Sequence, residues 1–99
     1  MELEQDMEIL KPLTGFLTGI ERDPRIRVTH IAVYMALYQR WVMINGTGPV
    51  NFWGRELMTA AKISSSVTYH RAIRALDEYG YIRYEPSFNK LAGSKAYLL

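Results

Sequence analysis

The fold is decided by residues 63–84, which read ISSSVTYHRAIRALDEYGYIRY. Ser64 or Ser65 can cap a helix, because a serine side chain accepts hydrogen bonds from the free N–H groups of a first turn. The apolar stripe of this helix consists of Tyr69, Ala72, Ile73 and Leu76. Gly80 ends the helix, and Ile82 and Tyr84 then alternate with polar residues. The stretch predicts a helix that is followed at once by a strand.

A short helix and a tight connection precede this stretch. The sequence GRELMTAA at residues 54–61 predicts two helical turns. Their inward side chains are Leu57, Met58 and Ala61. Lys62 and Ile63 form the connection to the longer helix. Before the short helix, residues 49–52 alternate apolar and polar side chains behind a proline, which predicts a brief edge strand.

An earlier helix is apolar around most of its circumference. Thr29 can cap it, and Asn45-Gly46 ends it, with glycine suited to a left-handed conformation. Its core face is predicted to hold Ile31, Tyr34, Met35, Tyr38, Trp41 and Val42, with a second row of Val33, Leu37 and Ile44. Because two rows are apolar, we expect other elements to cover this helix on two sides.

The first twenty residues carry an amphipathic helical pattern. Its apolar members are Leu3, Met7, Leu10, Leu13, Leu17 and Ile20, at spacings of three and four. Proline is not tolerated inside a helix, so Pro12 predicts two short helices or a kink, and we place one helix at about residues 13–20. Asp23-Pro24 then ends the pattern. This segment is the predicted second cover of the aromatic helix.

After the longer helix, the last nineteen residues change to the period of a strand. Ala96 and Leu98 alternate with Lys95 and Tyr97, and a loop that contains Pro86 separates this second strand from the first. The pattern predicts a terminal β-hairpin.

Length and composition restrict the class of protein. The chain has 99 residues, of which 48% are hydrophobic, and this is enough for one core and too little for two. The absence of cysteine excludes disulfides and cysteine-ligated zinc. No apolar run approaches the roughly 18 to 20 residues of a membrane span, and the start of the chain does not look like a secretory signal. We expect a cytoplasmic protein without a membrane segment.

Charge is distributed unevenly along the chain. Residues 1–23 hold two basic and six acidic residues, a net charge of −4, whereas residues 24–99 hold ten basic and four acidic residues, a net charge of +6. A basic domain behind an acidic leader favours a polyanionic partner, although solvated surface lysines and arginines explain the charge equally well.

Some of the basic residues are expected to lie together on the outward face of the longer helix. At about 100° per residue, burial of its apolar stripe turns Val67, Arg71, Arg74 and Glu78 outward, with His70 and Ala75 on the flanks. A helix fits the major groove of DNA, where arginine is the commonest reader of guanine. The helix start adds hydroxyls and free N–H groups for a phosphate through Ser65, Ser66 and Thr68, and Lys62 can add one more phosphate contact.

Each of these residues also has a structural interpretation. Val67 meets a thymine methyl group, a partner protein or only solvent. Arg71 and Arg74 can instead form ion pairs along the helix with Asp77 and Glu78. Contact with DNA is the favoured interpretation, because the acidic residues lie at the end of the helix away from the predicted groove.

The hairpin loop supplies a second set of candidates. Asn89, Lys90 and Lys95 lie in or beside the loop, where they can meet the DNA backbone or the minor groove. Ordinary solvated lysines are the alternative.

This order of elements resembles the winged helix-turn-helix family. Residues 63–84 look like the family's recognition helix running into the first wing strand, and FNKLAGSK at residues 88–95 looks like the wing tip. The resemblance covers residues 29–99 and hardly extends to residues 1–28. It implies a three-helix core with a wing, a recognition helix in the major groove and double-stranded DNA as the partner.

A narrower resemblance concerns two segments. Residues 28–41 and 68–98 are similar to small winged-helix proteins that are encoded beside mobile elements in bacteria. One departure from the family is that the short helix starts at Trp53-Gly54 rather than at a small polar capping residue, and glycine caps only weakly.

The sequence favours no enzyme, metal site or cofactor. His30 and His70 are far apart and have no second ligand at a metal-binding spacing. The serines at 64–66 lack the glycine pattern of a nucleophile elbow and are better explained by capping. A platform of aromatic residues that stacks single-stranded bases is less favoured than a packed core.

These observations predict a mostly α domain with a small antiparallel β-hairpin, a winged helix-turn-helix over residues 24–99 with a helical extension over residues 1–23. Its expected function is sequence-specific binding of double-stranded DNA as a bacterial transcriptional regulator, or as an organiser of mobile-element DNA. Residues 65–79 would read the major groove and the wing at residues 86–95 the backbone or the minor groove.

Two further predictions concern partners. A homodimer could form through residues 3–20 and the helix at 29–44, with packing inside one chain as an equal alternative. The competing function is a winged helix used only for protein contact, inside a larger replication or mobile-element assembly, with Val67 and the tyrosines as the contact surface.

Overall fold

A computed structural model describes residues 3–89 and 91–99 of the protein. In this part of the chain the elements are α1 (Leu3–Ile20), α2 (Val28–Met43), β1 (Val50–Phe52), α3 (Gly54–Ala61), α4 (Ser66–Glu78), β2 (Ile82–Glu85) and β3 (Ser94–Leu98). They form a compact mixed α/β domain with four described helices and a small antiparallel sheet. None of the described helices combines the length and the apolar character needed to cross a membrane.

The helix α4 forms as its sequence pattern predicts. Ser65 is the N-cap, and its Oγ accepts a hydrogen bond from the backbone N–H of Thr68 at 3.2 Å. The apolar stripe of Tyr69, Ala72, Ile73 and Leu76 is at most 2% exposed. The stripe belongs to the hydrophobic core, and α4 contacts mainly α2 and β2. The predicted buried stripe is therefore confirmed.

The sheet contains one strand more than the predicted hairpin. The strands lie in the order β1-β3-β2, with antiparallel pairing on both sides of β3. Ala96 of β3 is opposite Val50 of β1 and Tyr84 of β2. Because strand residues alternate between faces, Val50, Phe52, Ile82 and Ala96 all reach the core. The predicted edge strand at residues 49–52 thus joins the hairpin as a third strand.

The helix α2 is covered on two sides, as expected, but its boundaries and its buried row differ from the prediction. The N-cap is Arg27 rather than Thr29, and the Nδ1 atom of His30 accepts a hydrogen bond from the Arg27 backbone N–H at 2.7 Å. Val33 and Leu37 of the second row are fully buried, together with Tyr34. Predicted core positions that remain exposed are Met35 at 39% and Ile44 at 40%.

The end of α2 agrees with its prediction, whereas the N-cap of α3 differs by one residue. Asn45 and Gly46 have positive φ angles of 62° and 68°, which confirms the left-handed end of α2. The N-cap of α3 is Trp53 rather than Gly54, in extended conformation and without a side-chain cap. Within α3, Leu57 and Ala61 are buried and Met58 is partly buried, as predicted.

The helix α1 continues through Pro12, although proline normally interrupts a helix. The prediction of a helix limited to about residues 13–20 is wrong. A proline removes one backbone donor and disturbs the turn before it. Two tyrosine hydroxyls of α2 donate to carbonyl groups of this region: Tyr34 to Pro12 at 3.1 Å and Tyr38 to Ile9 at 2.8 Å. These bonds attach α1 to α2 within one turn of the proline.

An aromatic stack completes the attachment of α1. The ring of Phe16 lies parallel to that of Tyr34, with centroids 3.7 Å apart, and meets the edge of the Tyr81 ring at 5.3 Å. Phe16 is 4% exposed. The predicted cover of α2 by the N-terminal segment is therefore present within one chain.

A polar cluster connects the segment between α1 and α2 to the start of β2. The Asp23 carboxylate accepts hydrogen bonds from Nε and Nη2 of Arg25 at 2.8 and 2.9 Å, and from the Tyr81 hydroxyl at 2.6 Å. The Arg25 guanidinium also lies 3.9 Å above the ring of Tyr79. The Arg25 guanidinium, followed by the Tyr81 hydroxyl, holds the pKa of Asp23 well below its usual value of 3.8.

This cluster makes stability depend on pH. A lowered pKa in the folded state means that the Asp23 carboxylate stabilises the fold fully above its unfolded-state pKa, near 3.8, and that this contribution is lost as the pH falls. We therefore expect Asp23→Asn to lower the free energy of unfolding at neutral pH, and the difference from wild type to shrink at about pH 3. Urea unfolding followed by circular dichroism measures both values.

The matched control is Asp77→Asn, at an exposed position near the end of α4. This variant should follow the wild type at both pH values, because an exposed carboxylate without a described ion pair contributes little. A constant difference between Asp23→Asn and wild type across this range would contradict the assigned role of the carboxylate.

Candidate nucleic-acid interface

The outward face of α4 carries the residues that the sequence placed there. Val67 is 59% exposed, and His70, Arg71 and Arg74 are also exposed. Their orientation follows from the opposite face, where Tyr69 and the other members of the apolar stripe are buried against α2 and β2. The geometry produces a cationic outer face on a helix that is fixed by its inner face.

Neither arginine of this face takes part in an ion pair with the side chains that the structure describes, those of residues 7–89 and 91–99. The salt bridges there join Arg25 to Asp23 and Arg83 to Glu85. The alternative in which Arg71 and Arg74 pair with the acidic residues at the end of α4 is not the arrangement that the structure shows. Both guanidinium groups are therefore available to an external anion.

The N-terminal turn of α4 gives its polar residues different surroundings. Ser65 is exposed but uses its hydroxyl as the cap, and Ser66 is exposed beside it. Thr68 is only partly exposed. The Nδ1 atom of His70 lies 2.8 Å from the carbonyl oxygen of Ser66, so Nδ1 carries the proton and holds the ring against the helix.

The connection before α4 depends on an uncommon backbone conformation. Lys62 ends α3 with a φ angle of 63°, in the left-handed region, and its side chain is exposed. With this turn, only four residues separate the end of α3 from the start of α4. Nothing in the sequence pattern indicated that a lysine, rather than a glycine, would take this conformation.

The hairpin loop is ordered largely by its own hydrogen bonds. Asn89 accepts from the Leu91 backbone N–H through Oδ1 at 3.0 Å, and its carbonyl accepts from Ala92 and Gly93. Its backbone N–H donates to the Ser87 hydroxyl at 3.0 Å. Asn89 was predicted as a DNA contact, and the structure gives its Oδ1 atom a role inside the loop.

The two lysines of the predicted wing have separate outcomes. Lys95 is exposed on β3, where it is opposite Asn51 and Glu85. Lys90 lies outside the residues that the structure describes, so its predicted contact stays a prediction.

A groove joins α4 to the loop. It encloses about 300 Å³ and is lined by His70 and Arg74 from α4 and by Phe88 and Asn89 from the loop. The structure thus brings the predicted site residues His70, Arg74 and Asn89 to one groove, together with Phe88, which was not predicted as a site residue. The predicted residues that do not line the groove are Lys62, Ser65, Ser66, Val67, Thr68, Arg71 and Lys95. Trp53, which is 47% exposed, also lines the groove and was not predicted as a site residue.

Tyr69 also lines this groove, and its buried hydroxyl lacks a described hydrogen-bond partner. The residue is 1% exposed, and its hydroxyl has no hydrogen-bond partner among the described residues. Burial, with a smaller contribution from Tyr84, raises the pKa of Tyr69. Gly54 makes room for the ring, because a Cβ atom there would lie 3.3 Å from Tyr69 Cε2.

Comparison of this chain with known proteins identifies no relative. The chain matches no family model, no curated protein and no solved structure. The interpretation of the interface therefore depends on its geometry and charge.

The two buried tyrosines should respond in opposite directions to loss of the hydroxyl. We expect Tyr69→Phe to leave the free energy of unfolding unchanged or to raise it by up to about 1 kcal/mol, because an unpaired buried hydroxyl contributes nothing favourable. Tyr34→Phe is the matched control, since it removes the bond to the Pro12 carbonyl and should cost about 1 kcal/mol. Urea unfolding measures both. A larger loss for Tyr69→Phe than for Tyr34→Phe would contradict this account of the groove.

Proposed function

We propose that this chain is a winged helix-turn-helix domain that binds double-stranded DNA in a sequence-specific way. Residues 66–78 would enter the major groove, and the loop between β2 and β3, which is the proposed wing, would lie along the backbone or in the minor groove. The observation that carries the proposal is the exposed, unpaired pair Arg71 and Arg74 on the outer face of α4. A transcriptional regulator of a bacterium, or of a bacterial mobile element, is the biological role that we infer.

The dimensions support this arrangement. A helix of 13 residues is about 20 Å long, and a helix fits into the major groove, which is about 12 Å wide. Arg71 and Arg74 lie one turn apart on the face that would meet the base edges. The groove shared by α4 and the loop shows that both elements border the same side of the domain. One duplex could therefore contact both.

Selection of bound duplexes from a random pool, followed by titration of the selected site, tests the proposal directly. We expect Arg71→Ala and Arg74→Ala each to weaken binding by about 1 to 3 kcal/mol and to relax the base preference at one position. Fluorescence anisotropy with a labelled duplex measures the affinity. Arg22→Ala is the matched control, because Arg22 is exposed in the turn after α1 and should have little effect.

Salt dependence separates this function from its competitor, a winged helix that contacts only proteins. DNA affinity should fall with a slope of about −0.9 for each phosphate contacted, and Lys62→Ala should reduce that slope by about 1. The exposure of Val67 is the feature that favours a protein partner. If the Arg71→Ala, Arg74→Ala double variant binds the duplex with wild-type affinity, the proposed reading face is wrong.

A homodimer is proposed as a secondary feature. Phe16 is committed to the core, whereas Met7, Leu10 and Leu17 of α1 are 61%, 52% and 42% exposed. These three residues form an unpartnered apolar row that a second copy could cover, so that two α4 helices read half-sites about one turn apart.

Point substitutions test the dimer better than deletion of α1, because deletion would remove Phe16 from the core. We expect light scattering to give twice the chain mass of 11.4 kDa for the wild type and a single mass for the Leu10→Glu, Leu17→Glu double variant. Leu99→Glu, at a residue that is 68% exposed, is the control and should remain dimeric. A wild type of single mass at all concentrations used would disprove this arrangement.

A further inference from the structure

Two apolar side chains of the wing stand almost fully in solvent. Phe88 is 98% exposed and Leu91 is 91% exposed, the highest values among the large hydrophobic residues that the structure describes. Burial of a phenylalanine or leucine side chain is worth more than that of a smaller residue, so such exposure is costly unless a partner covers it. The pair is three positions apart on one tight loop.

Hydrogen bonds within the loop and a close approach to β1 hold the residues on either side of this pair. The Ser87 hydroxyl and the Asn89 side chain and carbonyl together accept hydrogen bonds from the backbone N–H groups of residues 89 and 91–93. Gly93, with a φ angle of 71°, lets the loop approach β1 so closely that a Cβ atom would lie 3.0 Å from the Phe52 carbonyl oxygen. Backbone hydrogen bonds on both sides of the apolar pair restrict the described part of the loop, which lowers the conformational entropy lost on binding.

The position and charge of the loop indicate the kind of partner. Phe88 borders the same groove as Arg74, so the apolar tip lies beside the cationic face of α4. Residues 86–99 contain Lys90 and Lys95 and no acidic residue. Glu85, directly before this stretch, is exposed but lies 3.6 Å from the Arg83 guanidinium. The net positive charge of residues 86–99 therefore favours a polyanion at the tip, whereas a purely apolar partner would leave the exposed cations of this face without counter-charges.

We propose that Phe88 and Leu91 form an apolar wedge that enters the minor groove and partly unstacks one base-pair step. This inference rests on the proposed DNA binding and extends it. Apolar side chains inserted in this way kink a duplex by about 20 to 90°. With α4 in the major groove, the wedge would act on the adjacent minor groove, and the bend would favour sites with a flexible pyrimidine–purine step at that position.

The test measures bending and unstacking separately from affinity. The probe is the selected duplex, labelled at both ends for energy transfer and carrying 2-aminopurine at successive positions opposite the wing. Wild-type protein should shorten the end-to-end distance and raise 2-aminopurine fluorescence at one step. The Phe88→Ala, Leu91→Ala double variant should lose both signals and about tenfold in affinity, with an unchanged salt slope.

Val28→Ala is the matched control. Val28 is 80% exposed and starts α2 near His30, whose ring lies 6.2 Å from that of Tyr79 at the C-terminal end of α4. It is therefore distant from the end of α4 that would enter the groove, and its substitution should preserve the bend and the fluorescence signal.

The outcomes distinguish the wedge from the proposed function. If the wild type binds the duplex, and the double variant bends and unstacks it equally, the wedge is overturned and DNA binding stands. If the wild type binds no duplex, the proposed function fails, and the wedge fails with it. A third outcome is that the double variant bends the duplex as the wild type does, while the wild type binds anionic vesicles and the double variant does not. This result would assign Phe88 and Leu91 to a lipid surface and overturn the wedge.

Discussion

Burial of one face of α4 is the constraint on which the rest of the structure depends. Tyr69, Ile73 and Leu76 leave solvent together when they pack between α2 and β2, and this fixes the rotation of the helix about its axis. The arginines on the other face have no freedom to turn inward. A hydrophobic interaction therefore determines which face of α4 presents its arginines to solvent.

Tyrosine hydroxyls then determine how firmly the outer elements attach to that core. Tyr34 and Tyr38 bind carbonyl groups around Pro12, and Tyr81 binds Asp23, so each hydroxyl joins segments far apart in the chain. Tyr69 has no such partner among the described residues, and its hydroxyl lies under the groove between α4 and the wing. The tyrosine hydroxyls on the side of α1 therefore have hydrogen-bond partners, whereas the hydroxyl of Tyr69, on the side proposed to meet DNA, has none among the described residues.

Local patterns in the sequence predicted α3, α4 and the hairpin, because apolar spacing and the Ser65 cap act within a few residues. The passage of α1 through Pro12 was not predictable from local rules, and the two hydroxyls that bind carbonyl groups near Pro12 belong to a helix more than twenty residues away. Pairing of β1 with β3 and the use of Asn89 inside its loop likewise depend on the folded context. Residue types at the candidate site were foreseen, but the groove that joins His70, Arg74 and the loop was not.

The order of the sheet has a consequence for biosynthesis. The central strand β3 is made last, and β1, which pairs with it, leaves the ribosome roughly 40 residues earlier. At about 5 to 20 residues per second, Val50 and Phe52 wait two to eight seconds for the strand that covers their edge. The helices α2 and α4, which pack on each other, are separated by roughly 20 residues, about half of that distance, so a nascent chain can assemble its helical layer while the sheet is still incomplete.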